Sequence, residues 1–583
     1  MKRSLFTRAT AAVAALLSFA LVATAKNDDD RGGPQRFDLL ETTIAEIQRA
    51  LQTNVISTEQ LVRMYQLRMA AFEDAGPRIN AYLHINTNAA QQARQLDAIH
   101  GQGQRARKPL FGVPVLLKDN IDTADMPTTA GSVALAGSIP PDDAFITKKL
   151  RDAGAIILGK AALTEYANFL AIGMPTGYSS LNGFSFNPYD PRPDPRTEAP
   201  FNDGRPVLQT GGSSSGPALG VNANLAAVAV GTETSGSLLS PASANSVVGI
   251  KPTLGLVSRD GIIPITADQD TAGPVTRTVT DGAIMLGVLA GYDPKDPATN
   301  ACLTAGNCFN DYTRFLNRDA LKGARLAVYA PPTPYPANRQ QLLNAAVEVL
   351  KARGATVRIL AVSDIPLQLG TCVTAPLPPI PAPPALQCSS VLLYGFKRDL
   401  NAYLAATPNA PRRTLGEIVA FNAAYMPALK YGQAIAIAAE ALDVSPGSAD
   451  TQRYMQDRAL DLVLSRDAMN VIFNGPDGIK GTEDDTDAII SVGNFFAAAP
   501  AKAGFPSITV PGGLISPITG VDPPIANPFP QTITFTGPAF SEPRLLALGY
   551  AFEQVTKHRV PPTSTPALPS DTVVKNGGRK GGK

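Results

Sequence analysis

Short, continuously apolar runs recur along the chain from about residue 111, and stretches with helical periodicity separate them. A strand that is apolar on both faces is buried on both faces, as happens when helices cover a sheet. We therefore predict an α/β fold in which helices cover both sides of a sheet. The predicted buried strands lie at residues 113–117, 155–158, 226–230, 324–329, 357–360, 488–492 and 507–510.

The composition is that of a globular chain, with 44% hydrophobic and 17% charged residues. Its 583 residues allow one large domain or two to four ordinary ones, and we find no internal repeat. The formal net charge of +2 gives no electrostatic case for binding nucleic acid or an acidic membrane surface. We therefore expect no nucleic-acid partner.

The N-terminus has the pattern of a cleavable signal peptide. Lys2, Arg3 and Arg8 carry the positive charge, and residues 9–22 form the apolar stretch. Ala23-Thr24-Ala25 has the small-x-small pattern of a cleavage site. We therefore predict cleavage after Ala25 and a secreted or periplasmic protein. The alternative, a membrane anchor, is disfavoured because a span needs roughly 18 or more apolar residues. We find no other segment long and apolar enough to cross a bilayer.

The four cysteines form two local pairs, Cys302 with Cys308 and Cys372 with Cys388. Neither pair has CxxC spacing, which disfavours a zinc knuckle or a redox motif. Proximity favours two short-loop disulfides with these pairings, in keeping with an oxidising compartment. Four cysteines allow three pairings, and buried free thiols are the other interpretation.

Histidine and metal chemistry have little support in this sequence. The three histidines, His84, His100 and His558, lie outside every Gly/Ser-rich segment, so a Ser-His-Asp site has few candidates, although it is not excluded. A zinc-binding HExxH motif is absent. Residues 474–487 are rich in Gly and Asp but lack EF-hand spacing, so we predict a solvated turn there and no metal site.

Two Gly/Ser-rich segments, residues 211–216 and 231–237, flank the apolar run at 226–230. A strand that runs into a Gly-rich turn presents backbone N–H groups at the sheet edge, where an anion can bind. Neither GxGxxG nor GxxxxGK[ST] occurs, which disfavours a phosphate-binding loop. A plain Gly/Ser linker is the other alternative, and the strand between the two segments argues against it.

Ser237 ends the second segment and is our candidate nucleophile. If Ser237 attacks a carbonyl carbon, the backbone N–H groups of Thr234, Ser235, Gly236 and Ser237 itself are placed to bind the oxyanion. A serine needs a base to become a nucleophile, and lysine is the leading candidate because histidine is scarce.

Lys118 directly follows the apolar run at 113–117. Burial of a lysine among aliphatic side chains lowers its pKa from about 10.4 toward neutrality. A neutral amine can then accept a proton from a serine hydroxyl. The competing interpretation is a solvated charge at the end of a strand.

The two Gly/Ser segments and Lys118 belong to a longer series of motifs. The series is Gly112-Val113-Pro114 with Lys118-Asp119-Asn120, Gly211-Gly212-Ser213-Ser214, Gly231 to Leu238 with Pro241-Ala242, Val247 to Thr253, Asp270 to Pro274, Phe505 to Pro511, and Tyr550 to Glu553. Over roughly residues 37–562, these motifs resemble the amidase-signature family, and their order and spacing make the resemblance specific.

The resemblance implies a single α/β domain with a mixed sheet of ten or more strands sandwiched between helices. It also implies a Ser-cisSer-Lys triad without a cofactor. Ser237 would be the nucleophile, Ser213 the bridging serine after a cis peptide bond, and Lys118 the base. The implied substrate is a small-molecule or peptide amide, and Tyr166 either lines the acyl pocket or packs in the core. Asp270 is expected to order the loop around the site.

Three departures from the common family pattern bear on the substrate. Glu233 replaces the usual Asp, Ser235 replaces a Gly, and Leu238-Leu239 replaces an Ile-Arg pair. In family members that act on glutamine, that arginine helps to hold the charged substrate. Its loss argues against a glutamine amidotransferase component, and the Gly-Thr-Glu-Thr variant is closer to secreted bacterial peptide amidases.

The predicted organisation is a signal peptide over 1–25, a flexible spacer over 26–36, the amidase domain over 37–562 and a flexible basic tail over 563–583. The predicted activity is hydrolysis of a peptide C-terminal amide, an aryl acylamide or a carbamate-like C–N bond. An esterase with the same triad and a catalytically silent binding protein on this scaffold are the alternatives.

Overall fold

The computed structural model describes residues 35–99, 108–360 and 390–575. The predicted signal peptide and the Cys372–Cys388 pair lie outside these residues. The strands are β1 (Gln35–Asp38), β2 (Tyr82–Ile85), β3 (Pro114–Lys118), β4 (Ile156–Ala161), β5 (Tyr178–Ser179), β6 (Gly183–Phe184), β7 (Val228–Glu233), β8 (Val248–Lys251), β9 (Thr271–Thr276), β10 (Arg325–Val328), β11 (Thr356–Ile359), β12 (Ala488–Val492), β13 (Ser507–Ile515), β14 (Phe529–Thr536) and β15 (Thr572–Lys575).

The helices pack around these strands, and α5 is a single short turn. They are α1 (Ile44–Gln52), α2 (Thr58–Phe72), α3 (Ala89–Ala98), α4 (Phe145–Asp152), α5 (Glu165–Asn168), α6 (Ser215–Asn222), α7 (Leu239–Ala244), α8 (Val279–Leu289), α9 (Asn300–Thr304), α10 (Ala337–Ala352), α11 (Ser390–Ala406), α12 (Leu415–Ala424), α13 (Ala434–Glu440), α14 (Ala449–Leu462), α15 (Ala468–Phe473), α16 (Ala498–Ala503) and α17 (Glu542–Thr556).

Eleven strands form one mixed sheet in the order β11-β10-β12-β14-β13-β8-β9-β7-β3-β4-β2. The strands β7, β3 and β4 run parallel to one another, whereas β9 and β8 are antiparallel to their neighbours. Helices lie on both faces, and the buried side chains of sheet and helices form the main core. The predicted α/β class and the mixed sheet of ten or more strands are therefore confirmed.

All seven predicted strands belong to this sheet, but one of them is not buried. The strand β11 is an edge strand, and Ile359 on it is 73% exposed. The prediction of a buried strand at 357–360 is therefore wrong about burial, because an aliphatic run looks the same on an edge strand as in the centre. The strands β2, β8, β9 and β14 were not predicted.

The first two helices begin at side chains that cap their N-termini. The side chain of Thr43 accepts a hydrogen bond from the backbone N–H of Glu46, whose carboxylate accepts one from Thr43 in return. The Ser57 hydroxyl accepts a hydrogen bond from the backbone N–H of Gln60 at the start of α2. Such caps satisfy N–H groups that a helix leaves unpaired at its first turn.

The C-terminal segment is part of the fold, so the predicted tail over 563–583 is wrong for its described part. The strand β15 pairs with β1, with Phe37 opposite Val573. Asp571 forms an ion pair with Arg68 of α2, and both side chains are buried. The domain therefore continues past Pro562 to Lys575, because this segment supplies the ion-pair partner of Arg68 and the strand that pairs with β1.

One of the two predicted cysteine pairs lies in the described residues. The structure pairs Cys302 with Cys308, whose Cα atoms are 5.1 Å apart. Among the helices of the described ranges, we find none with both the length and the apolar character that a bilayer span requires.

Candidate active site

Lys118 is the last residue of β3 and is completely buried. Its Nζ atom lies 2.8 Å from Ser213 Oγ, 2.8 Å from Thr232 Oγ1 and 3.2 Å from the Thr232 carbonyl oxygen. Because β3 and β7 are parallel neighbours, the ends of the two strands bring Lys118 and Thr232 together. The carboxyl ends of parallel strands are where open α/β sheets commonly bind ligands.

Ser213 follows a cis peptide bond from Gly212, as the resemblance implies. Its side chain is buried, and α6 begins two residues later. The backbone N–H of Ser214 donates to the carbonyl oxygen of Ser237 at 3.2 Å, which brings the two Gly/Ser segments into direct contact. Lys118 and Ser213 are therefore in hydrogen-bond contact. The backbone hydrogen bond from Ser214 holds Ser237 next to the segment that carries Ser213.

Ser237 lies in a sharp turn between β7 and α7. Gly236 has a φ of +82°, a left-handed conformation that glycine adopts without strain. Glu233, at the end of β7, accepts hydrogen bonds from the backbone N–H groups of Leu238 at 2.7 Å and Leu239 at 3.2 Å. Its carboxylate therefore satisfies the start of α7 and fixes the turn on the far side of Ser237.

The backbone N–H groups of Ser235, Gly236 and Ser237 make no hydrogen bond with any other described part of the chain. Three successive unpaired N–H groups beside a serine hydroxyl form an arrangement suited to an oxyanion. The backbone N–H of Thr234 likewise has no partner among the described residues, and the Thr234 hydroxyl donates to Asp270 Oδ1 at 2.5 Å.

Asp270 orders the loop around the site, as predicted. One carboxylate oxygen accepts hydrogen bonds from the backbone N–H groups of Ile265 and Thr266, at 2.8 and 2.9 Å. Burial raises the pKa of the Asp270 carboxyl to about 7, and the hydrogen bond from Thr234 opposes this change. Asp270 and Thr234 also line a small cavity beside Thr232.

The electrostatic environment of Lys118 suits a proton acceptor. Burial lowers the pKa of the Lys118 ammonium from 10.5 to about 7, although the charges of Asp270 and Glu233 partly oppose the change. A base is most effective when its pKa lies near the working pH, because it is then unprotonated without losing basicity.

The lowered pKa of Lys118 predicts a pH profile. We expect kcat/KM to fall about tenfold per pH unit below pH 7 and to level off above it, since only the neutral amine accepts a proton. Asp270 titrates in the same range, so the midpoint belongs to both groups. Asp270→Asn should move the midpoint to lower pH, because the carboxylate charge favours the ammonium form. A flat profile with an uncharged substrate would contradict this prediction.

The remaining sequence candidates are Tyr166 and the histidines. Tyr166 is buried in a second apolar cluster, where its ring packs edge-on against Phe396 with centroids 6.0 Å apart. His84 and His558 make no hydrogen bond with either serine, and His100 lies outside the described residues. Within the ranges that the structure describes, no group of His, Cys, Asp or Glu side chains is arranged to hold a metal ion.

Sequence reasoning missed two side chains that contact the buried amine or its partner. Thr232 accepts a hydrogen bond from Lys118, and Asn120 Nδ2 donates to the same Thr232 hydroxyl at 3.1 Å. Both residues lie inside motifs that carry the family resemblance. Nothing in the local sequence shows that the two motifs face each other across β3 and β7.

Ser237 lies in a turn of unpaired N–H groups, beside a second serine that is hydrogen-bonded to a buried lysine. This arrangement suits the transfer of an acyl group to a serine hydroxyl. Comparisons with known proteins agree with this class. A family model described as Amidase matches residues 60–377. The chain belongs to the amidase family, and it is an enzyme that hydrolyses amide C–N bonds.

Three relatives illustrate the range of this similarity. A probable amidase of Arabidopsis thaliana is 35% identical over 94% of this chain and 96% of its own length. The native peptide amidase of Stenotrophomonas maltophilia has a TM-score of 0.75 and 36% identity, covering 90% of this chain and 98% of that one. A putative amidase of Schizosaccharomyces pombe is 30% identical over 91% of this chain and 87% of its own length.

Proposed function

We propose that this protein is an exported amidase that cleaves a carboxylic amide through an acyl-enzyme on Ser237. Ser213 relays the proton and Lys118 is the base. The observation that carries the proposal is the 2.8 Å contact between Lys118 Nζ and Ser213 Oγ, two side chains that are completely buried.

The contacts of Lys118 account for the direction of proton transfer. A neutral amine has two N–H groups, and the hydroxyl and carbonyl oxygens of Thr232 can accept both. The lone pair of Nζ then faces the Ser213 hydroxyl and accepts its proton. Ser213 Oγ in turn takes the proton of Ser237 as Ser237 Oγ attacks the substrate carbonyl carbon.

The remaining steps return the proton and release the acid. The carbonyl oxygen becomes an oxyanion, which the N–H groups of Ser235, Gly236 and Ser237 stabilise. Collapse of this intermediate breaks the C–N bond, and the proton on Lys118 passes back through Ser213 to the leaving nitrogen. Water then attacks the acyl-enzyme by the same route, releasing the carboxylic acid and restoring Ser237.

The substrate is an uncharged amide rather than glutamine in this proposal. Leu238 and Leu239 follow the nucleophile and are both buried, so these two positions offer no cation to hold a charged substrate. The 36% identity to the Stenotrophomonas peptide amidase supports a peptide C-terminal amide as the first candidate. Aryl acylamides and carbamate-like bonds are the other candidates.

Export rests on the N-terminal pattern that ends at Ala25 and on the paired Cys302 and Cys308. A disulfide persists in an oxidising compartment such as the periplasm or the exterior. Both features agree with a protein that matures outside the cytoplasm.

A fluorophosphonate probe tests the nucleophile and the export together. We expect one covalent adduct, mapped to Ser237 by peptide mass spectrometry, on a protein that begins at Lys26 and is recovered outside the cytoplasm. Ser237→Ala should abolish the adduct, whereas Ser215→Ala should retain it, because the Ser215 hydroxyl donates to the Gly211 carbonyl oxygen instead. An adduct at another residue would overturn the assignment of Ser237.

An esterase with the same triad is the second candidate, because an ester carbonyl would use the same nucleophile and oxyanion N–H groups. Matched ester and amide substrates with one acyl group distinguish the two. In an amidase, the ester and the amide form the same acyl-enzyme, so we expect equal kcat values for the two substrates when hydrolysis of that acyl-enzyme limits turnover. An esterase should hydrolyse the ester and leave the amide intact.

A further inference from the structure

The loop after β12 lies directly against the turn that carries the nucleophile. The side-chain nitrogen of Asn494 is 3.3 Å from the position that a Cβ on Gly236 would occupy, and the Ala497 methyl is 3.5 Å from it. A side chain at position 236 would therefore crowd Asn494. Because Gly236 has no side chain, the Asn494 carboxamide packs directly against the turn, one residue from Ser237.

Asn494 is exposed, and its carboxamide makes no hydrogen bond with the described residues. Ser235 is also exposed and belongs to the turn itself. The exposed side of the turn therefore carries the Asn494 carboxamide, which presents a free NH₂ donor and a free carbonyl acceptor near Gly236, one residue from Ser237.

The backbone holds Asn494 in place although the side chain is exposed. The N–H of Gly493 donates to the Thr532 carbonyl at 2.9 Å, and the Thr534 hydroxyl donates to the Gly493 carbonyl at 2.5 Å. On the other side, Phe496 is buried and its ring packs against Tyr329 with centroids 4.5 Å apart. A side chain carried on a fixed backbone loses less freedom on binding, which favours a recognition role.

We propose that Asn494 determines substrate specificity by pairing with a peptide group next to the scissile amide. A carboxamide and a peptide group each offer an N–H and a C=O, so they can form two hydrogen bonds side by side. Substrates with such a second amide, such as N-acylated amino acid amides, are then preferred over simple amides. This inference rests on the proposed amidase function and narrows its substrate class.

The test compares two substrates that differ only in the second amide. N-Acetylphenylalanine amide carries it, and 3-phenylpropanamide lacks it. We expect Asn494→Ala to lower the ratio of kcat/KM for the first substrate to that for the second by about tenfold, the effect of losing one or two neutral hydrogen bonds. Asn409→Ala is the matched control, because Asn409 is also exposed and lies in the loop after α11.

The rate of Ser237 labelling by a small fluorophosphonate reports on the nucleophile turn in each variant. An unchanged ratio in Asn494→Ala overturns the proposal. If the ratio is unchanged and Ser237 is labelled more slowly, Asn494 only supports the turn. If the wild-type protein hydrolyses neither substrate and is not labelled, the proposed function itself fails, and the ratio is not defined.

Discussion

Replacing Lys118 by alanine is expected to lower kcat/KM by about 10²- to 10⁴-fold, the usual contribution of a general acid–base group, which here also returns the proton to the leaving group. The physical reason is that the Ser213 hydroxyl loses its proton acceptor, and Ser237 remains protonated during attack. Lys118→Met should show the same loss while filling more of the space. Steady-state kinetics with a primary amide substrate measures the effect.

A second buried lysine separates loss of the base from loss of a buried side chain. Lys251 on β8 is also completely buried, and its Nζ donates to the Phe505 carbonyl oxygen at 2.8 Å rather than to a serine. Lys251→Met should keep kcat/KM within about tenfold of the wild type once the folded fraction is measured by circular dichroism. Retained activity in Lys118→Met, or an equal loss in both variants, would contradict the role of Lys118.

The sheet could be predicted from sequence where its strands are plainly apolar, and not elsewhere. The central strand β9 has the sequence TAGPVT, and a proline in a run argues against a central strand because it cannot donate to the ladder. The neighbouring β8 has only four residues, VGIK, and includes a glycine and a lysine. These strands form because their neighbours in the sheet supply the pairing, which local sequence does not reveal.

The active site divides in a similar way. Local physics suggested Ser237, from a strand that runs into a Gly/Ser turn, and Lys118, from its place after an apolar run. The pairing of Lys118 with Ser213 joins residues 95 apart in sequence, and only the family resemblance indicated it. The contacts to Thr232 and Asn120 depend on the register between β3 and β7, which the apolar pattern of either strand leaves open.

The C-terminal segment shows why composition misled the prediction of its end. The last residues are basic and rich in glycine, which is typical of a solvated tail. The residue that ties the segment to the domain is Asp571, and its partner Arg68 lies 503 positions earlier. A single acidic residue in a polar segment carries no sign of such a distant partner.

We expect Arg68→Met to lower the free energy of unfolding by about 3–5 kcal/mol, the cost of breaking a buried ion pair by removing one partner. Arg68 donates to the carbonyl oxygens of Asn224, Ala223 and Thr565 as well as to Asp571. Its loss leaves the buried Asp571 carboxylate without a cation, although the Leu568 N–H still donates to it, and leaves several carbonyl groups without donors. Urea unfolding followed by circular dichroism measures the change.

Arg63 on the same helix is the matched control for Arg68. Its side chain is 58% exposed and pairs with Glu59 at the surface, so Arg63→Met should cost no more than about 1 kcal/mol. Adding Asp571→Asn to Arg68→Met should recover part of the loss, because the unpaired buried charge is then removed. Equal stabilities of the Arg63 and Arg68 variants would show that the buried ion pair between α2 and the C-terminal segment does not stabilise the domain.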